Sequence, residues 1–205
     1  MNFELIREHS DVSRETFERL EVFSEVLTKW NPKINLVSRK SLEDLWTRHI
    51  LDSVQVFEIA PNAKTWLDIG SGGGLPGVIV AILAADKSPE TKVTLMESDQ
   101  RKCAFLRNAA RECGVQVTVK SQRIEEAEPE SAGVMSARAL ADLDILLGYS
   151  ERHLKSGGTA VFPKGANWKK EVDNARNRWR FDCEEITSLT EPEAVILKIK
   201  GVERV

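Results

Sequence analysis

From Ser13 to Trp30 the apolar residues Phe17, Leu20, Phe23, Leu27 and Trp30 recur three and four apart, which predicts one buried helical face. Ser13 stands where an N-cap is needed and Glu15 falls in the first turn. Asn31-Pro32 predicts the stop, because proline disfavours helical backbone in the residue before it. A second helix is predicted to open at Ser41, with Asp44 three residues on, and to turn Leu42, Leu45, Trp46, Ile50, Val54 and Phe57 inward until Pro61 ends it.

After Pro61 the period changes. Short apolar runs at Thr65 to Ile69, Lys92 to Glu97, Val115 to Lys120, Gly133 to Ala137 and Thr159 to Phe162 alternate with helical segments at Pro76 to Ala85, Gln100 to Cys113 and Leu143 to His153. That alternation predicts βαβ units around a parallel sheet. Arg180 to Ile186 and Ala194 to Ile199 then read as two strands joined by the polar turn Thr190 to Glu193, a terminal antiparallel hairpin. The expected architecture is α/β: a Rossmann-like, mostly parallel seven-stranded sheet over residues 63–205, with a helical N-terminal extension over residues 1–62, together one compact domain.

Composition narrows this picture little. At 205 residues the chain has room for one α/β core with a modest extension, and 41% hydrophobic with 30% charged residues is a globular balance. There is no apolar run of the roughly eighteen residues a membrane span needs, and no apolar signal segment from Met1 to Asp11, so a cytoplasmic protein is expected. Cys103, Cys113 and Cys183 suggest neither a disulfide framework nor a metal site, and no metal is expected. With a net charge of -3, any nucleic-acid contact must come from a local patch. Two basic clusters qualify: Lys29, Lys33, Arg39, Lys40, Arg48 and His49, and Lys164, Lys169, Lys170, Arg176, Arg178 and Arg180; each is equally readable as a solvated helix face.

The sharpest chemical signal is Asp68-Ile69-Gly70-Ser71-Gly72-Gly73-Gly74-Leu75-Pro76-Gly77, placed directly after the first strand and before an apolar helix. Glycines there let the backbone turn sharply and approach a ligand closely. Gly72, Gly74 and Gly77 also satisfy the G-x-G-x-x-G spacing of nicotinamide-binding proteins. Asp68 at the strand end, where a carboxylate can face a cationic methionine group, and the glycines beginning at Gly70 favour S-adenosylmethionine instead, because this pattern resembles motif I of class I methyltransferases. Glu97, ending the second strand, suits two ribose hydroxyls in either case.

The end of the fourth strand reads Ser136-Ala137-Arg138-Ala139. It carries neither the Asn/Asp-Pro-Pro-aromatic motif of exocyclic-amine methylation nor the Pro-Cys of covalent attack on pyrimidine carbon. An acceptor needing no activation remains, and N7 of guanine is one, with a free lone pair facing the major groove. Catalysis would then rest on alignment and a dry, polarised pocket, with Arg138 at the cofactor or at the guanine oxygen.

Taken in order, Lys29-Trp30-Asn31-Pro32-Lys33-Ile34-Asn35-Leu36, Arg48-His49-Ile50-Leu51-Asp52-Ser53, Leu67 to Gly77, Lys102 to Leu106, Arg123-Ile124-Glu125, Ser136 to Leu140 and Lys164-Gly165 resemble the bacterial small-subunit ribosomal RNA methyltransferase G family, RsmG or GidB. The resemblance covers nearly the whole chain. It implies methylation by S-adenosylmethionine of N7 of a guanine in the 530 loop of 16S rRNA, presented as naked RNA, an assembly intermediate or the 30S subunit, by a monomer. Carried over by motif, Gly70, Leu75, Ile124, Glu125 and Arg138 would line the cofactor site, beside Asp68, Gly72, Gly74 and Glu97. Arg48, His49, Lys164 and Arg138 are the candidates for the RNA side, Arg138 also for catalysis. Val37 stands where the family often has threonine, and Gly73 where alanine or proline is common. The alternatives are a nicotinamide-dependent oxidoreductase and a non-catalytic RNA-binding assembly factor built on the same fold.

Overall fold

The computed structural model describes residues 2–205, apart from the Arg39 side chain, so that member of the first basic cluster lies outside the described residues. Its seven strands are β1 (Thr65–Ile69), β2 (Lys92–Glu97), β3 (Thr118–Ser121), β4 (Ala132–Ser136), β5 (Leu154–Lys164), β6 (Trp179–Thr187) and β7 (Val195–Arg204). They form one sheet in the order β3-β2-β1-β4-β5-β7-β6. The first five are mutually parallel, whereas β7 runs antiparallel to both β5 and β6. This is the mostly parallel sheet with a terminal hairpin that the alternation of apolar runs predicts.

Side-chain alternation divides the core between the two faces of the sheet. Trp66, Leu95, Val134, Val161 and Ile196 join one apolar cluster with the helices α2 (Arg14–Ile34), α4 (Leu51–Glu58), α5 (Gly77–Lys87) and α6 (Gln100–Glu112). Their neighbours Leu67, Met96, Met135, Phe162 and Leu197 join the other with α7 (Leu143–His153) and α8 (Trp168–Ala175). The helical prelude therefore shares its core with the sheet: Leu20, Phe23 and Leu27 of α2 belong to the same cluster as Val78 to Leu83 of α5.

Several boundaries differ from the sequence expectation. The first long helix does not stop at Asn31-Pro32 but runs to Ile34. Pro32 is exposed in the last turn, where water can reach the carbonyl left without an amide partner. Asn31 instead shapes the exit: its Oδ1 accepts from the backbone N–H of Leu36 at 2.8 Å and of Val37 at 2.9 Å. The second helix opens earlier than Ser41, since Ser38 is the cap and its hydroxyl accepts from Ser41 N–H at 3.1 Å. It is also interrupted. A short α3 (Arg39–Glu43) leads into a wide π-helical stretch, Leu45–Ile50, before α4 resumes.

The third strand begins at Thr118, not Val115, because Gly114 takes a left-handed φ of +64° and the chain needs three more residues to reach the β2 edge. The fifth begins earlier, at Leu154, since a register shift between Ala132 and Val134 admits Gly157 and Gly158 as a bulge. Two short helices, α1 (Asn2–Arg7) and α8, have no counterpart in the periodicity; α8 buries only Val172 and Ala175.

Candidate functional site

In an open parallel sheet a ligand crevice forms where the strand order reverses, beyond the carboxyl ends of the strands. Here that point lies between β1 and β4, and the glycine loop after β1 meets the Ser136–Leu140 segment after β4. Gly70, Gly72 and Gly74 all have positive φ, at +62°, +50° and +75°. A Cβ on Gly70 would lie 2.6 Å from the Leu140 side chain. On Gly72 it would meet only the Gly70 carbonyl, at 3.6 Å, leaving open space above the loop.

Asp68 lies beneath this loop, fully buried. Its Oδ1 accepts from the Ser136 hydroxyl at 2.7 Å, and Ser136 in turn accepts from the Trp66 indole N–H at 2.9 Å. Oδ2 is buried beside Gly77 with no partner of normal hydrogen-bond geometry. Burial pushes the carboxyl up to about 6, against the opposing pull of its hydrogen bonds. Glu97 braces the loop from β2: its Oε2 accepts from Gly72 N–H at 2.9 Å and its Oε1 from Asp99 N–H at 2.9 Å.

After β3 the chain forms a single 3-10 turn, Ile124–Glu126, held by α7. His153 Nε2 donates to the Ile124 carbonyl at 3.1 Å, Arg152 donates to the Ala127 carbonyl, and the Tyr149 hydroxyl bonds Glu125. The Tyr149 contact holds the Glu125 carboxyl below its ordinary range, while burial followed by that same contact lifts Tyr149 to about 12.

The second group of residues lines a cleft of about 780 Å³ on the β4–β5 side, which gathers Arg48, His49, Asp52, Arg138, Lys164 and the β6–β7 turn around Glu191. Arg138 is the centre of it. Its Nε lies 3.4 Å from Asp52 Oδ2, and one terminal nitrogen, Nη2, donates to the Arg48 carbonyl at 3.2 Å and to His49 Nδ1. Burial, then the charges of Arg138 and Arg48, push His49 down to about 4. Arg48 reaches Glu191 across the cleft at 2.7 Å. Lys164 also lines the cleft, but its ammonium donates to the Ala141 carbonyl at 2.8 Å and to Glu171 at 2.6 Å, with only 8% of the side chain exposed.

A model of the family described as rRNA small subunit methyltransferase G, GidB, matches residues 16–198. The chain belongs to that family. Ribosomal RNA small subunit methyltransferase G of Ruegeria sp. (strain TM1040) is 80% identical over 195 residues, 95% of each chain. Among solved structures, ribosomal protein L11 methylase from Lactobacillus delbrueckii subsp. bulgaricus shares the fold with a TM-score of 0.59 at 16% identity, over 75% of this chain and 78% of that one. An RNA methyltransferase from Salinibacter ruber, in complex with S-adenosyl-L-homocysteine, does so with a TM-score of 0.54 at 18% identity, over 71% and 87%. The fold is that of class I methyltransferases, and family membership removes the nicotinamide reading of the glycine loop.

S-adenosylmethionine, the methyl donor of the GidB family, fits these residues. The left-handed Gly72 leaves open space above the loop that a Cβ would enter, and Asp68 beneath it ties the loop to the end of β4 through Ser136. Each Glu97 oxygen accepts one backbone bond and keeps a lone pair for a ribose hydroxyl. Sequence reasoning missed Tyr149 and Glu171 altogether, and it named Ser136 and Asp52 within motif segments without the supporting roles they have here. Only Asp52 carried a signal, standing three and four residues beyond His49 and Arg48 on one helical face.

Proposed function

We propose that this chain, an S-adenosylmethionine-dependent methyltransferase of small-subunit ribosomal RNA, places the methyl on N7 of a guanine in the 530 loop of 16S rRNA. When bound, S-adenosylmethionine supplies an electrophilic methyl; the sulfonium becomes a thioether and positive charge passes to the purine. The observation that carries the reading is the polar lining of the acceptor cleft. Arg138 takes up the Asp52 carboxylate and the His49 Nδ1 lone pair, and Glu171 is taken by Lys164 and by Leu143 N–H. Around Arg138 the acids Asp52 and Glu171 are thus paired and the lining is rich in donors, while Asp142 and Glu193 line the cleft further out; this suits a nucleophile that has no proton to lose, as N7 of guanine has none.

The chain's own work is then positioning. The loop from Gly70 to Gly74 and Glu97 hold the donor, Ile124 and Glu125 border its adenine, and Arg138 stands between the donor and acceptor sides. Arg48 and His49 face the RNA, while Lys164 keeps the end of β5 and the start of α7 in place. A cytoplasmic monomer acting on 16S rRNA within an assembling or complete 30S particle is consistent with this reading, and no helix among the described residues is long and apolar enough to cross a membrane.

The test is to incubate 30S subunits and naked 16S rRNA from a strain lacking the modification with labelled donor. The modified base is then mapped by borohydride–aniline cleavage, which is selective for N7-methylguanosine. Label and cleavage at one guanine of the 530 loop are expected. Label at another atom or base overturns the proposal, and absence of transfer to either substrate would favour the non-catalytic assembly role.

A further inference from the structure

Leu140 touches both halves of the site. A Cβ built on Gly70 would lie 2.6, 3.1 and 3.2 Å from its Cδ1, Cδ2 and Cγ, so the branched end of the leucine lies against the first glycine of the loop after β1. The same side chain lines the acceptor cleft, beside Arg138. It remains 37% exposed, so burial in the core does not account for its place.

The backbone sets that place instead. Ala139 has a φ of +50°, a left-handed conformation that a residue with a Cβ adopts at a cost and keeps only where its surroundings fix it. Both flanks are fixed. Before it, Arg138 is tied to Asp52 and to the Arg48 carbonyl. After it, the Ala141 carbonyl accepts from Lys164 at 2.8 Å and Leu143 N–H donates to Glu171 at 2.8 Å. A strained turn thus carries a large apolar side chain to the junction of the glycine loop and a cleft lined elsewhere by Arg48, Asp52, Arg138 and Lys164.

Resting on the guanine-N7 reading above, we propose that Leu140 is a positioning residue for the transfer: it is the apolar partition between glycine loop and acceptor cleft, and the face of the acceptor purine lies against it. In the transfer the N7 lone pair bonds the methyl carbon while the carbon–sulfur bond breaks and its electron pair stays on sulfur; no proton moves. Alignment then governs the rate, because the reacting atoms must meet at about 3 to 3.5 Å and an error of about 1 Å costs on the order of a hundredfold. A purine has apolar faces and a polar edge, so an isopropyl group against one face fixes the plane of the ring without competing for N7. The same group keeps water out of the junction, where a gap would admit it beside the sulfonium.

The test is a substitution series at residue 140, assayed on whichever of naked 16S rRNA and the 30S subunit accepts label. Leu140→Ala is expected to lower kcat at least about tenfold, while the Kd for S-adenosylhomocysteine changes by less than about threefold and Tm by less than about 3 °C. Leu140→Met, of similar volume and still apolar, should keep kcat within about threefold, whereas Leu140→Gln, of similar length but polar, should fall with the alanine variant. Ile145→Ala removes an equally exposed apolar side chain from the first turn of α7, outside the cleft lining, and should leave kcat unchanged. A readout independent of turnover uses rRNA carrying 2-aminopurine at the mapped position. With S-adenosylhomocysteine present, wild-type protein should protect its fluorescence from quenching by acrylamide, and Leu140→Ala should lose most of that protection.

Wild-type kcat or undiminished protection in a folded Leu140→Ala, or a loss of kcat matched by an equal loss of donor affinity, overturns the partition while leaving the guanine-N7 assignment standing. If the alanine variant does not fold, Leu140→Met against Leu140→Gln still decides, and equal kcat in those two overturns it. Methylation of a different atom of unmodified rRNA by the wild-type protein overturns both.

Discussion

Arg48 and Glu191 meet at 2.7 Å, joining the π-helical turn of the N-terminal extension to the tip of the β6–β7 hairpin. Two segments far apart in sequence thereby close one side of the acceptor cleft. Both partners are half exposed, so the bond contributes at most about 1 kcal/mol to stability.

Replacing Glu191 with Gln should shift Tm by no more than about 3 °C. It removes a negative charge from the cleft proposed to receive the rRNA, so KM for rRNA should fall about two- to fivefold at low salt, with a salt dependence steeper by about one charge. Turnover assays across a salt series check this; a higher KM would show the carboxylate to be required.

Asp68 gives stability a pH signature. Its carboxyl is raised from 3.8 in the unfolded chain to about 6 in the fold, so the folded state binds more protons between those values. The protonated form stabilises the fold below pH 4, and that contribution, about 3 kcal/mol, is lost as pH rises through 6. Asp68→Asn has no such loss, so its Tm relative to wild type should improve from pH 5 to pH 8, while affinity for S-adenosylhomocysteine falls. Thermal melts at the two pH values, paired with calorimetry, decide it; parallel shifts at both would contradict the assignment.

Glu97→Ala removes the brace on Gly72 and, in the proposed cofactor site, the acceptor for the ribose. Donor binding should weaken by roughly 1 to 3 kcal/mol, about 5- to 150-fold in Kd. Titration calorimetry with S-adenosylhomocysteine reads this directly, and an unchanged Kd would remove Glu97 from the cofactor site.

Gly70→Ala and Gly77→Ala should differ in kind. A methyl at Gly70 meets the flexible end of half-exposed Leu140, so its cost of about 1 to 2 kcal/mol comes from a left-handed backbone. At Gly77 it would lie 2.4 Å from buried Leu95 and 2.6 Å from Asp68 Oδ2, an overpacking of about 2 to 3 kcal/mol. Adding Leu140→Ala should relieve none of the Gly77 loss. Urea unfolding of the two single variants and the two doubles provides the comparison.

Lys164→Ala should lower Tm, since it leaves the Glu171 carboxylate and the Ala141 carbonyl without their cation; about 1 to 3 kcal/mol is expected for a pair this enclosed. A variant that melts like wild type but binds rRNA poorly would return Lys164 to the RNA surface as a free charge.

The parts of this fold legible in the sequence are those set by local pattern. Apolar runs bounded β1 and β2 at Thr65–Ile69 and Lys92–Glu97, and α7 at Leu143–His153, because each buries side chains at its own period. The strand-loop-helix around Gly70 was legible because its glycines have no other use. What stayed hidden depends on distant partners. Nothing near Asn31 announces that its amide will cap the chain after α2, and nothing near Arg48 points to Glu191. The widened turn at Leu45–Ile50 leaves the same apolar residues facing inward, so periodicity cannot distinguish it from a plain helix. Arg138 was legible as an arginine at a strand end; its unpaired nitrogen was not, since that needs Asp52 and His49 in place.

The line from Trp66 through Ser136 to Asp68 carries one more consequence. The indole is stacked on Phe57 in the buried core, and its N–H leads through the Ser136 hydroxyl to the carboxylate under the glycine loop. Indole emission responds to the field around the ring, so the charge state of that carboxylate and the arrival of a cationic ligand above it are relayed to a fluorophore the protein already contains. With the other four tryptophans replaced by phenylalanine, Trp66 emission is expected to follow loading of the proposed donor site without a label.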